Sequence, residues 1–336
     1  MTSTDVLVPR RSILDRLPVT KQLRQSMGLQ RGMLVTGLVI TITFVLLAAL
    51  APLIAPYSFA QRRADGVAFE AQLPPGGAHI WGTTTGGFDV FSRVVWGAQT
   101  ALAVILVAVA LSIVIGVLLG LVSGYFGGWL DRVLVVICDA IYAFPTLLLA
   151  IVLSIVLSGG RSDMWTGIVA AAGSITVVFI PQYFRVIRAE VVRVKAEAFV
   201  ESARVVGAPT SRILFRHVLR NSTRTLPLIF TLNSSEAILT LAGLGFLGFG
   251  IEPSAAAEWG YDLNKAVADV SAGIWWTALY PGLAIVLVVL GITLVGESLN
   301  DLSDPRLRVR RRAKTSAGVV ATTSLPAIVR KKGAVS

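Results

Sequence analysis

Residues 94–130 read VVWGAQTALAVILVAVALSIVIGVLLGLVSGYFGGWL, a run with no Asp, Glu, Lys or Arg between Arg93 and Asp131. A helix needs about 20 mostly apolar residues to cross ~30 Å of hydrocarbon. The run exceeds that length, and 99–123 fits one span within it. Upstream, residues 33–55 make a span inside the charge-free interval from Arg31 to Arg62. Downstream, 133–158 carries only Asp139, 165–184 carries no charge, 225–250 carries only Glu236, and 273–296 is again uncharged. The expected fold is all-α: a polytopic membrane bundle of about six transmembrane helices. The first span has a long basic leader and an apolar core exceeding the 7–15 residues of a signal sequence, so it reads as a retained helix.

Composition agrees. Apolar residues are 54% of the 336 and charged residues 15%, against about 25% charged in soluble domains. The net charge of +11 does not point to nucleic acid, because the basic residues lie between uncharged spans and form no patch on a soluble domain. Of 30 Lys and Arg, 25 fall in segments 1–32, 124–132, 185–224 and 297–336, and five in the alternate segments. Basic loops stay inside, so both termini are expected in the cytoplasm. Trp81, Trp96, Trp165, Trp259, Trp275 and Trp276 fall beside the outer segments and Trp129 at the inner edge of the third span, where amphipathic rings favour the headgroups. The tail at 301–336, Arg-rich at 306–312, is expected to lie near anionic lipid. Cys138, the single cysteine, permits no intrachain disulfide and reads as a packed thiol; His79 and His217 stand in separate polar segments, so no metal site is expected.

The most patterned stretch is the loop 185–224, too long for a tight connection. Residues 196–206 read as a short helix with an apolar face at Phe199, Val200, Ala203 and Val206. Gly207 follows where a left-handed turn would end it. Ala208-Pro209-Thr210-Ser211 restarts a helix over about 211–221, with Ile213, Leu214, His217 and Val218 on one side and Arg212, Arg216 and Arg220 on another. Pattern alone leaves two readings: a loop packed on its own bundle, or an angled knuckle that docks a partner.

Glu201-Ser202-Ala203, three residues, then Gly207 resembles the E-A-A-x3-G-x9-I-x-L-P motif of ABC importer permeases, with Leu219 at its leucine. Ser202, His217 and Arg220 depart from that pattern. Further fragments resemble the C-type permease subunit of dipeptide/oligopeptide importers. Among them are Ile80-Trp81-Gly82-Thr83, Gly87 through Arg93, Gly127 through Arg132, and Ala143-Phe144-Pro145-Thr146. Glu236 through Gly248, Glu258-Trp259-Gly260 and Asp304-Pro305-Arg306 follow in order. Thr84 and Phe88 stand where that branch has Asp and Arg. The resemblance implies a type I ABC importer transmembrane domain over 99–300, preceded by a first helix at 33–56 and an external segment at 57–98. It implies a bacterial plasma (inner) membrane location. It also implies a heterodimer with a sister permease, one or two cytoplasmic ABC ATPases holding ATP and Mg, and an external substrate-binding protein. In that family the motif forms coupling helices, which maps ATPase coupling onto Phe199, Glu201, Ser202, Ala203, Arg204, Gly207, Ile213, Leu214, Arg216 and His217.

None of the six lysines follows a glycine, so no P-loop exists and no nucleotide or other cofactor is expected in this chain. Within the spans, Glu236 beside Asn233 would cost roughly 3 kcal/mol in lipid, so it lines a pathway or makes an interhelical hydrogen bond. Asp139 is placed near the inner end of the third span, where a helix N-terminus would favour its carboxylate. Asn233, Glu236 and Asp139 are the candidate pathway residues. Gly243, Gly245, Gly248 and Gly250 read as close-packing positions; Pro145, Pro181, Pro227 and Pro281 read as kinks or boundaries. The expected function is a non-catalytic permease subunit taking up di- or oligopeptides; nickel, haem, glutathione or another small solute is the alternative. A secondary transporter or channel would show more embedded charges or an internal repeat, and a membrane enzyme would show clustered acids, bases or ligands.

Overall fold

The computed structural model describes residues 29–160 and 163–303; the tails before and after, including the arginines at 306–312 and Asp304-Pro305-Arg306, lie outside the described residues. The helices are α1 Leu29–Ala49, α2 Ala51–Ile54, α3 Val90–Phe126, α4 Gly128–Tyr142, α5 Thr146–Ser158, α6 Met164–Val194 and α7 Ala198–Val205. Then come α8 Thr210–Arg212, a π-helical segment Ile213–Val218, α9 Leu219–Ser222, α10 Leu226–Phe246, α11 Trp259–Ser271 and α12 Trp276–Ser303. One small antiparallel hairpin, β1 Arg63–Ala64 with β2 Val67–Ala68, sits between α2 and α3. Helices α1, α3, α6, α10 and α12 are each long and apolar enough to span a membrane, and α4 with α5 makes a sixth, bent span.

Three boundaries differ from the sequence reading. The third span is not one helix over 133–158: α4 and α5 meet at 98°. Pro145, at the start of α5, has no N–H to continue the ladder and forces Phe144 away from helical geometry. Helix α3 starts at Val90 rather than 99, because Asp89 caps it by accepting from the Ser92 N–H at 2.7 Å. Its 37 residues reach about 55 Å, well beyond the hydrocarbon. Helix α6 runs on past 184 to Val194, since Ile187, Val191 and Val194 continue its buried stripe between the arginines. Pro181 and Pro281 lie inside α6 and α12, and Pro227 in the first turn of α10.

The two longest helices, α3 and α6, pack parallel along a seam of glycines. A Cβ on Gly116 would lie 2.6 Å from the Tyr183 Cβ, one on Gly120 2.7 Å from the Phe184 carbonyl, and one on Gly124 2.9 Å from the Arg188 carbonyl. Apolar attraction between helices is weak in lipid, so close backbone approach must hold them. Ser112 Oγ adds a hydrogen bond to the Thr176 carbonyl at 3.1 Å. The pair α1 and α12 repeats the device antiparallel, with Gly37 against Leu294 and Gly291 against Ile40.

At one end of the bundle, the segment before α3 is tied to α11. Arg93, 2% exposed, donates through Nε to Asp262 at 2.8 Å and through Nη1 to the Phe59 carbonyl at 3.0 Å. His79 Nδ1 lies 2.9 Å from Asp89, and Asp269 accepts from Gln72 and Thr85, both at 2.7 Å. Phe88, a departure from the family pattern, is buried with the Arg62 and Arg93 guanidinium groups over its ring at 4.4 and 5.0 Å. Of the four late glycines, Gly248 serves as a helix stop with φ +85, not as a packing position. Gly245 does pack closely: a Cβ there would collide with the Glu258 carboxylate. Glu258, buried ahead of α11, accepts from the Gly260 and Tyr261 N–H groups at 2.8 and 2.7 Å.

Two outcomes follow from this packing. Gly120→Val should lower the melting temperature of the purified protein by several degrees, as overpacking costs about 1–3 kcal/mol. Gly32→Ala, in α1 at a position that faces open space, should not lower it. Burial pushes the Glu258 carboxyl from 4.5 up to about 8, against the pull of the two N–H groups. The folded state therefore binds that proton more tightly, and the group's stabilising contribution, full below pH 4.5, is lost as pH rises toward 8. The melting-temperature difference between wild type and Glu258→Gln should fall across that window; a flat difference would remove the assignment.

Candidate functional site

Opposite the Arg93 end, the loop after α6 folds into the expected knuckle. Helix α7 ends in a Schellman turn: the Gly207 N–H reaches the Arg204 carbonyl at 2.9 Å and the Ala208 N–H reaches Ala203 at 3.0 Å. Gly207 has φ +81, and a Cβ added there would meet nothing within 4 Å, so the backbone alone demands glycine. The chain restarts at Pro209-Thr210, and the second arm widens into a π-helical turn over Ile213–Val218.

The arms bury one face and expose the other. Val200, Ile213, Leu214 and Val218 join Leu121, Ile187, Val191 and Val194 in a core cluster at the end of the α3–α6 pair. Ile213 and Leu214, assigned to docking by sequence, thus hold the knuckle to its own bundle. Glu201, Ser202, Arg204, Gly207 and Arg216 are exposed, His217 and Ala203 half-buried. Phe199 stands on the outer side rather than on the buried apolar face, and Val206 is 86% exposed. Val205, 84% exposed, and Phe215 add exposed apolar side chains on the two arms; sequence reading missed both, although a helical wheel that turns Ile213, Leu214 and Val218 inward already points Phe215 out.

Charge fixes the knuckle's base. Lys195 Nζ donates to the Gly124 carbonyl at 2.7 Å, satisfying the open C-terminal end of α3. Arg188 grips Asp131 at the start of α4 through Nε at 2.5 Å and Nη2 at 2.7 Å, and Ser123 donates to the same carboxylate. The Arg204 guanidinium lies 5.6 Å above the Tyr125 ring. Helices α3, α4, α6 and α7 therefore share one anchored corner.

A second feature is an open wall beside the α4–α5 bend. Asp139 lies in the last turn of α4, not at a helix N-terminus, and pairs with Arg185 at 2.7 Å. What neutralises it is that guanidinium, which also covers the Tyr142 ring at 4.2 Å. Glu236 faces outward from α10, in the neighbourhood of the Tyr142 ring that Arg185 covers. Asn233, one turn before Glu236, is fully buried. The structure thus brings Asp139 and Glu236 to one wall and sets Asn233 apart. Cys138 is buried, and the described residues hold no group of His, Cys, Asp and Glu arranged for a metal.

A polytopic bundle of membrane-spanning helices with a folded knuckle anchored at one end is the architecture of a transport permease. Comparison gives its family. Residues 116–309 match the model of the binding-protein-dependent transport system inner membrane component, and residues 29–75 match the N-terminal TM domain of oligopeptide transport permease C. The dipeptide transport system permease protein DppC of Alkalihalophilus pseudofirmus is 34% identical over 82% of this chain and 86% of its own. The glutathione transport system permease protein GsiD of Escherichia coli is 38% identical over 83% and 88%. The chain belongs to the family of binding-protein-dependent inner membrane transport components, in its oligopeptide permease branch.

Replacing Asp131 with Asn should loosen the shared corner. Hydrogen exchange should accelerate in α7 and at the start of α4 while the amides of α12 keep their rates.

Proposed function

We propose that this chain forms one half of the transmembrane pathway of an ATP-driven importer of short peptides. A sister permease supplies the other half, and an external binding protein delivers the solute. One or two separate ATPase subunits, which carry the ATP and Mg, dock on the knuckle at 197–221. Both termini lie in the cytoplasm of a bacterial cell, as the 25-to-5 distribution of Lys and Arg favours.

The observation that carries this reading is the knuckle's construction. Its inner face is welded to the two longest helices, and its outer face presents Phe199, Val205, Val206 and Phe215 to a partner. An exposed apolar patch rimmed by Glu201, Arg204 and Arg216 is the composition of a docking surface. Movement of a docked ATPase reaches α3 and α6 as a rigid body, because Lys195 and the Asp131–Arg188 pair leave no slack. The likeness to a dipeptide permease supports peptides as the solute; the similar likeness to a glutathione permease supports a second reading, glutathione itself. Both are small peptidic zwitterions.

Two substitutions test the coupling role. Val205→Asp places a charge on the outer patch without touching the core, and Gly207→Val forces a β-branched residue into the left-handed turn at about 1–2 kcal/mol. Each should cut ATPase co-purification and dipeptide uptake at least about tenfold while the chain still inserts beside its sister. Wild-type docking and uptake with Val205→Asp would overturn the proposal.

A further inference from the structure

The α10 helix turns one stripe away from the bundle: Leu232, Glu236, Leu239 and Phe246 are all exposed, and three of the four are apolar. The acid in the middle of that stripe is the anomaly. A carboxylate at mid-span costs roughly 3 kcal/mol or more against lipid, so the stripe faces water or a compensating charge. The described residues supply no compensation. No hydrogen bond or ion pair reaches the Glu236 carboxylate among the described residues; only its backbone carbonyl is engaged, by Thr240 at 2.9 Å. The cation on this wall, Arg185, is already held by Asp139 at 2.7 Å. Among the described residues, one positive and two negative groups stand there, Arg185 against Asp139 and Glu236, a net charge of −1.

We infer that Glu236 is the cation-selecting group of the pathway, receiving the α-ammonium of the passing solute. Dipeptides and glutathione differ in size and in the number of carboxylates, but each carries a free primary ammonium at neutral pH. A carboxylate flanked by apolar side chains concentrates such a group by electrostatic focusing. Leu232 and Leu239, one turn to either side, add no competing polar contact. Transport needs weak, transient binding, and a single unshared carboxylate supplies attraction without a closed binding site. The neighbouring Arg185–Asp139 pair keeps the wall from repelling the solute's own carboxylate through a second bare anion.

This inference rests on the proposed pathway reading, and the test separates the two. In the assembled complex, Leu239→Cys would be treated with cationic and anionic methanethiosulfonate reagents of similar size; Cys138, buried, serves as the unreactive background. The cationic reagent should modify position 239 about tenfold faster than the anionic one, and Glu236→Gln in the same chain should abolish that preference while Glu236→Asp retains it. Lysyl-lysine uptake should then fall relative to glutamyl-glutamate uptake in Glu236→Gln. Equal modification by both reagents, with or without Glu236, would overturn the inference and leave the pathway reading standing, since it would show a wet wall that a partner's cation already neutralises. Modification by neither reagent would remove the pathway reading itself.

Discussion

Backbone-to-backbone contact between α3 and α6 is the constraint on which the other features depend. Three glycines spaced four apart present one bare face, and α6 lies on it closely enough that a single added carbon would strike a carbonyl or a Cβ. Lipid provides little drive for apolar side chains to leave it, so this intimacy, with the Ser112 hydrogen bond, holds the pair. Because the pair is parallel, the chain must return across the membrane between the two helices, and the broken α4–α5 span makes that return. Because both helices overrun the hydrocarbon, their ends form a platform, and the knuckle is built on it.

Much of this is readable in the residues, and what is not has definite causes. Long uncharged runs reveal spans because a charge in lipid is strongly disfavoured, so their number comes through. Their ends do not. Arg93 reads as a boundary, yet it sits inside α3, since Asp262 from 169 residues away compensates its burial. Arg185 and Arg188 likewise lie within α6, neutralised by Asp139 and Asp131. Pairing across the fold lets a helix carry charge where local composition says it must stop. The bend at Pro145 is visible as a proline but not as a 98° turn, because the angle depends on what α4 packs against.

The candidate site divides the same way. The helix–glycine–helix outline of the knuckle is legible, since Gly207 takes the positive φ that glycine adopts without a Cβ penalty. Which side chains face outward is less so. The second arm follows its helical reading, with Ile213, Leu214 and Val218 inward and Arg212, Arg216 and Arg220 outward, whereas on the first arm Phe199 and Val206 face out. The small residues that matter most for packing repeat every four positions around Gly116, whereas the denser group of later glycines draws the eye although Gly248 merely ends a helix. Asp139 and Glu236, nearly a hundred residues apart, share a wall that no local pattern could announce.

Parallel alignment of α3 and α6 carries an electrostatic consequence. Their peptide dipoles point the same way, so the partial negative charges of two carbonyl ends, about half an electron each, collect at one corner of the molecule. Left bare, they would repel each other and press the helices apart just where the knuckle must stay rigid. Lys195, bonded to the Gly124 carbonyl, is the countercharge at that corner. One ammonium thus acts as the mortar between two like poles.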